Sequence, residues 1–321
     1  LKKPLIYITR KIPEELIAPY TNSFRIKFWE KENDPVPENV LLREIKEAEG
    51  LICMLSEQIN QQLLDAAPHL KVIANLAVGF DNIDMEAAKA RNIAVTNTPD
   101  VLTETTADLG FALLMATARR LMEANDYIRK DKWDNWGPYL LAGSDIHHKT
   151  IGIVGMGRIG QAIARRAKGF EMEVLYHNRS RNVEAEEQLN ATYTDFDTLL
   201  HHSDFVVSVV PLTGETEQLF NKTTFHKMKD TGIFINISRG AVVDETALEN
   251  ALVTGEIKAA GLDVFVEEPI HADHPLMQLK NVVALPHIGS ASTETRTAMW
   301  KLCLDNTLSV LTGGQPKTPV W

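Results

Sequence analysis

Thr150-Ile151-Gly152-Ile153-Val154-Gly155-Met156-Gly157-Arg158-Ile159-Gly160, running on into Gln161 to Lys168, decides the fold. Thr150 to Val154 is short, uncharged and rich in β-branched residues, which predicts a buried strand. Gln161 to Lys168 carries its apolar residues at helical spacing. Between them stands G-x-G-x-x-G in the strand-to-helix setting that binds a dinucleotide. Gly155 permits the tight turn, Gly157 lets a pyrophosphate approach the backbone, and Gly160 lets the helix lie close to the sheet. The amides around Met156, Arg158 and Ile159 then meet the phosphates at a helix start, where unpaired N–H groups favour anions. Any tight strand-to-helix turn could use these glycines, but a second strand about 20 residues on completes the dinucleotide-binding unit.

Outward from this motif the chain alternates short apolar runs with amphipathic segments. Downstream, Val174 to Tyr176, Phe205 to Val209, Ile233 to Ile237, Ala259 to Asp263 and Val282 to Leu285 predict strands covered on both faces. Upstream, Leu5 to Thr9, Phe24 to Trp29, Leu51 to Leu55, Val72 to Leu76 and Ala94 to Thr96 predict a first series, closed by the turn Asn97-Thr98-Pro99-Asp100. Strand and helix in alternation imply parallel sheets with right-handed crossovers. Leu102 to about Lys130, free of Pro and of Gly except Gly110, predicts one long connecting helix, and Thr293 to about Leu311 a final one. We therefore expect an α/β protein of two Rossmann-like, doubly wound parallel-sheet domains with a cleft between them. Residues 1–100 plus 291–321 would form a flavodoxin-like, substrate-binding domain. Residues 101–290 would form the Rossmann domain, including a dimerisation segment at 102–140.

Composition narrows the function. The 321 residues suit about two domains at roughly 150 residues each, and 44% hydrophobic with 24% charged residues is ordinary for a globular chain. Thirty-three Lys and Arg against 43 Asp and Glu give a net charge of −10. No general basic field exists to hold nucleic acid or an anionic membrane, so any bound anion needs a local site. Two cysteines, Cys53 and Cys303, make neither a disulfide framework nor a four-ligand zinc site. The most apolar stretch, Phe111 to Ala118, is too short to cross a bilayer. The expectations are a cytoplasmic chain with no targeting segment, no membrane or nucleic-acid partner and no metal.

The strand Val174 to Tyr176 should end in an acid if NAD is bound, since a carboxylate would accept bonds from the ribose hydroxyls. The chain instead reads His177-Asn178-Arg179-Ser180-Arg181. Two guanidinium groups and a hydroxyl match a 2′-phosphate in charge and donor geometry, which predicts NADP(H) as the preferred cofactor, with NAD(H) as the alternative. Solvated loop charges are the competing reading.

Three further polar residues follow apolar strands, where ligands gather in open α/β sheets. Arg239 lies in Ser238-Arg239-Gly240, Glu268 in Glu267-Glu268-Pro269 soon after Gly261 to Phe265, and His287 in Pro286-His287-Ile288-Gly289. With Gly155 to Gly160 and the Asn236 to Gly240 segment, these blocks resemble the D-isomer-specific 2-hydroxyacid dehydrogenases over essentially the whole chain. Val78-Gly79-Phe80-Asp81-Asn82-Ile83-Asp84, Pro99 to Thr103, Thr105 to Asp108 and Trp133-Asp134-Asn135-Trp136 look most like the glyoxylate/hydroxypyruvate reductase branch.

Reducing a 2-oxo acid places a hydride on the carbonyl carbon while the oxygen gains charge and needs a proton. The resemblance implies that His287 donates that proton, that Glu268 accepts the bond from its other ring nitrogen and fixes the tautomer, and that Arg239 holds the substrate carboxylate and carbonyl oxygen. It implies backbone amides at Val78 and Gly79 for the rest of the carboxylate, and substrate contacts at Leu55 and Trp136, the latter reaching a partner's pocket in a homodimer. Cofactor contacts are implied at Thr106, Pro211, Ile237, Asp263 and Gly289, although Asp263 could equally be a local cap. Glu267 is expected in solvent. Hinge closure between the domains is expected to exclude water.

Glu268 counts against formate dehydrogenases, which carry glutamine there. The length counts against phosphoglycerate dehydrogenases with a C-terminal regulatory domain. A 2-ketogluconate reductase with the same acid, base and arginine remains the nearest alternative, and a non-enzymatic NAD(H)-sensing binding module the more distant one.

Overall fold

The apolar runs become two separate sheets in the computed structural model, which describes residues 3–321. The chain divides into two units, one of residues up to Leu102 joined by Ser292–Trp321, the other Thr103–Ala291.

The first unit has five parallel strands, β1 (Leu5–Ile8), β2 (Arg25–Phe28), β3 (Gly50–Cys53), β4 (Val72–Asn75) and β5 (Ala94–Thr96), in the order β2-β1-β3-β4-β5. Every residue of β1, β3 and β4 is buried, whereas edge strand β2 is partly open and exposes Arg25 and Lys27. That contrast is the one expected between strands covered on both faces and a strand at the rim. One face packs a core containing Tyr7, Leu41, Ile45 and Leu63. Against β3 and β4 also lies the helix Thr293–Leu311, capped by the Ser292 hydroxyl on the Thr295 amide. Its Met299, Cys303 and Leu304 are buried, Met299 and Leu304 each contributing about 1.5–3 kcal/mol of apolar transfer before entropy is counted.

The second unit has seven parallel strands, β6 (Thr150–Val154), β7 (Glu173–His177), β8 (Ala191–Tyr193), β9 (Phe205–Ser208), β10 (Ile233–Asn236), β11 (Ala259–Leu262) and β12 (Val282–Ala284). Their order is β12-β11-β10-β9-β6-β7-β8, so the chain starts in the middle and winds outward in both directions. The reversal falls between β6 and β9, and ligands of such sheets bind outside the carboxyl ends of the strands at that point. Helices Thr103–Ala118 and Arg158–Gly169 pack Phe111, Leu113 and Ile163 on one face, while Leu199, Phe225 and Leu248 pack on the other.

Two expectations are corrected. The long connecting helix is two helices, Thr103–Ala118 and Leu121–Arg129, broken where Arg120 adopts a left-handed conformation with φ 53°. The Ala118 carbonyl is taken by the returning Ser144 amide at 2.8 Å, and the Arg120 guanidinium turns to Glu123. Edge strand β8 was not anticipated, being three residues long behind a left-handed Asn190. The segment after the break leaves Leu121, Met122, Ile128, Trp133, Trp136 and Tyr139 exposed. Among the described residues no helix is long and apolar enough to cross a membrane, and no group of three or more His, Cys, Asp or Glu could hold a metal ion.

Candidate active site

The glycine loop sits at the carboxyl end of β6. Gly155 has φ +106°, and a Cβ there would lie 2.7 Å from the Val209 carbonyl oxygen, so only glycine makes this turn beside β9. A Cβ on Gly160 would lie 2.1 Å from the Gly155 carbonyl oxygen, so the helix start is pressed on the loop. Gly157 faces open space, and as N-cap of Arg158–Gly169 it has no side-chain cap. The helix start thus carries no side-chain cap of its own, and the loop fits a dinucleotide pyrophosphate. Met156 is buried, and Arg158 and Ile159 open the helix.

The loop is tied to the end of β7. The Gly155 amide donates to the His177 carbonyl at 3.0 Å, and the Met156 amide to the Asn178 side-chain oxygen at 2.7 Å. Asn178 therefore braces the loop. Arg179, Ser180 and Arg181 are exposed beyond it. Their environments differ, because Arg181 is paired with Glu186, a residue to which sequence reasoning gave no role.

At the ends of β10, β11 and β12 the other predicted residues gather. His287 Nδ1 lies 2.7 Å from Glu268 Oε2, while Glu268 Oε1 accepts the Phe265 amide at 3.0 Å. With Nδ1 so engaged, Nε2 is the ring atom left for other chemistry. His287 itself has φ 53°, a left-handed backbone that turns the residue out of line with β12. Partial burial alone would push the Glu268 carboxyl up. The His287 ring, the Phe265 amide and the Arg239 charge outweigh it and hold Glu268 below the ordinary carboxylate range.

Arg239 follows β10 on a turn fixed by Asn236, whose side chain donates to the Arg239 carbonyl at 3.0 Å and accepts from the Ser238 amide at 3.0 Å. Asp263 is almost wholly buried and its Oδ1 accepts the Ile288 amide at 2.8 Å. That bond makes Asp263 a local cap. Burial raises its carboxyl to about 6, against the pull of the Ile288 amide, the His287 charge and the Gly289 amide. Thr106 and Gly289 lie together beside Asp263, Ile237 is buried, Pro211 is exposed, and Trp136 is 76% exposed.

In the first unit, Leu55 is half-buried and Val78 and Gly79 form the turn after β4. The Thr98 amide donates to the Ala77 carbonyl, Asn97 Nδ2 to the Val78 carbonyl and Asn75 Nδ2 to the Gly79 carbonyl, each at 2.8 Å. In a trans peptide the N–H points opposite to the C=O. Fixing the Ala77 and Val78 carbonyls therefore aims the Val78 and Gly79 amides the other way, as a carboxylate would require.

A buried network behind this turn escaped sequence reasoning. Asn75 Nδ2 donates to Asn82 Oδ1 at 3.1 Å, and Asn82 Nδ2 donates to the Met54 and Glu57 carbonyls at 3.0 Å. The Glu57 carboxylate takes Arg10 Nη1 at 2.7 Å, the Thr9 hydroxyl at 2.5 Å and the Met54 amide at 2.9 Å. The signal available was Asn75 itself, a polar residue ending an otherwise apolar strand.

The family profile described as D-isomer specific 2-hydroxyacid dehydrogenase, NAD binding domain, matches residues 111–289, more than half of the chain. The chain belongs to the D-isomer-specific 2-hydroxyacid dehydrogenase family, a class of nicotinamide-dependent oxidoreductases. Within that class it is 48% identical to the glyoxylate reductase of Thermococcus kodakarensis, over 99% of this chain and 96% of that one. A solved protein of Thermus thermophilus superposes with a TM-score of 0.92 at 42% identity, covering 99% of this chain and 100% of that one. The NADPH-dependent glyoxylate/hydroxypyruvate reductase of Sinorhizobium meliloti, solved with NADP and malonate, gives 0.87 at 35% identity, over 99% and 97%.

Proposed function

We propose that the protein reduces small 2-oxo acids, glyoxylate to glycolate and hydroxypyruvate to D-glycerate, with NADPH as preferred reductant and NADH as the weaker one. The observation that carries the reading is the 2.7 Å bond between His287 Nδ1 and Glu268, at the strand ends of the unit that bears the glycine loop. The glyoxylate reductase activity named for the Thermococcus and Sinorhizobium relatives supports the substrate class.

When bound, the nicotinamide supplies a hydride to the carbonyl carbon. His287 Nε2 gives its proton to the carbonyl oxygen as charge develops there, so 2-oxo acid, reduced cofactor and proton become 2-hydroxy acid and oxidised cofactor. Glu268 holds the ring in the tautomer and orientation this requires. Arg239 binds the carboxylate and the carbonyl oxygen through charge-assisted bonds, worth roughly 1.5–3 kcal/mol each, and the Val78 and Gly79 amides and Leu55 complete the carboxylate end. The loop Gly155 to Gly160 holds the pyrophosphate, Arg179, Ser180 and Arg181 the 2′-phosphate, and Thr106, Pro211, Ile237, Asp263 and Gly289 line the cofactor. The working unit is a homodimer formed through the 102–140 segment, with Trp136 serving the partner's substrate.

The test offers glyoxylate, hydroxypyruvate and 2-ketogluconate in turn with NADPH and with NADH, following loss of the reduced nicotinamide absorbance. Turnover of the two small acids with NADPH is expected, and His287→Ala should lower kcat by about 10²–10⁴ while leaving NADPH affinity intact. Preference for 2-ketogluconate would change the substrate, and no turnover with any pair would make the chain a binding module. Full activity in His287→Ala would overturn the proton-donor role.

A further inference from the structure

Glu186 stands where neither the glycine loop nor the proton transfer needs an acid. It lies on the helix Val183–Leu189, which follows β7 and the Arg179 to Arg181 segment. Its carboxylate is gripped on both oxygens. Oε1 accepts the Tyr176 hydroxyl at 2.6 Å and Arg181 Nε at 3.0 Å, and Oε2 accepts Arg181 Nη2 at 2.5 Å. Tyr176 is rooted in β7, fully buried, and its hydroxyl also receives the Asn182 amide at 2.7 Å.

Glu186 is therefore a fixed group and not a trailing surface acid, with its side chain only 16% exposed. The Arg181 and Tyr176 bonds hold its carboxyl down at about 2, so it is ionised throughout the working range. Arg181 is held in turn, lying 6.0 Å from the Tyr193 ring centroid. Arg179 differs. Its side chain is 88% exposed and its carboxylate partner, Glu215, is 3.8 Å away. Two cations that look equivalent in the sequence are unequal in the fold.

The bidentate edge of a guanidinium that grips a carboxylate is the edge that grips a phosphate. Glu186 and a cofactor 2′-phosphate would then contend for one edge of Arg181, and their like charges repel. A 2′-hydroxyl carries no such conflict. We infer that Glu186 is a specificity-determining residue that tempers the preference for the 2′-phosphorylated cofactor by occupying Arg181 and cancelling one of the two positive charges at that site.

The inference rests on the reading of Arg179 and Arg181 as the 2′-phosphate site, and the test separates the two. Glu186→Gln keeps the size and the capacity to bond Tyr176 but removes the charge. It should raise the NADPH-over-NADH ratio of kcat/KM roughly fivefold, through the KM for NADPH and not through kcat. The gain should shrink as salt is added, because the site is exposed and screened. Glu186→Ala should move the ratio the same way, which guards against a peculiarity of the amide. Arg179→Gln tests the underlying site and should lower the ratio. If Arg179→Gln lowers the ratio while both Glu186 variants leave it unchanged or lower it, the site stands and the role of Glu186 is overturned. If neither Arg179→Gln nor Arg181→Gln moves the ratio, the 2′-phosphate reading falls, and the role of Glu186 with it.

Discussion

Asp263 shows how one side chain ties the second unit's sheet to the proposed proton donor. It follows β11, caps the Ile288 amide next to His287, and is buried enough to titrate at about 6. An unfolded aspartate releases its proton near 3.8. Between 3.8 and about 6 the native state binds the proton while the unfolded chain has lost it, so Asp263 makes stability fall as pH rises through that window and level off above it. Glu268 acts oppositely. Its folded pKa is depressed, so its contribution is present above the unfolded value near 4.5 and is lost as pH falls through the lower folded value. Asp263→Asn should flatten the decline in stability between about pH 4 and 6 without changing the acid limb below it. Denaturant midpoints of both proteins across that range decide the matter, and parallel curves would show that Asp263 does not titrate there.

Among the elements, the loops after β1, β3 and β4 depend on a polar network with an ion pair at its centre. Arg10 and Glu57 are both buried, and their charges meet at 2.7 Å. Removing one partner of such a pair leaves the other charge uncompensated, at about 3–5 kcal/mol, whereas removing both is far milder. Arg10→Met should therefore destabilise the first unit by about that amount, and adding Glu57→Gln should recover part of the loss. Equal denaturation midpoints for Arg10→Met and the unaltered protein would show that the pair does no such work. Apart from Asn75, this network could not be read in the sequence, because Arg10 and Glu57 stand 47 residues apart and the β1–β3 pairing brings them together. Glu186 escaped for a related reason, since acids are common on helix surfaces and only the fold shows that this one grips Arg181. What could be read was local. The glycine loop and the apolar strands each announce themselves within a few residues, and the His287 and Glu268 segments do so through the family resemblance. The break at Arg120 did not, because it depends on Ser144 returning to Ala118.

For the whole molecule, the proposed homodimer rests on the segment from Leu121 to Tyr139. It exposes three large aliphatic and three aromatic side chains along one stretch of chain, the kind of surface an interface covers. A mass of two chains is expected in sedimentation. Leu121→Glu with Met122→Glu should shift it toward one chain, since a charge buried without a partner is costly. A single-chain mass for the unaltered protein would remove the homodimer.

The return of the last helix to the first sheet reverses the order of completion during synthesis. The first strands leave the ribosome early, yet the helix that buries Met299, Cys303 and Leu304 against β3 and β4 is made only after the second unit. The second unit, contiguous from Thr103 to Ala291, has its whole sequence available before then. The amino-terminal sheet must therefore wait with one apolar face uncovered while its neighbour in the chain matures, so the part translated first is the part finished last.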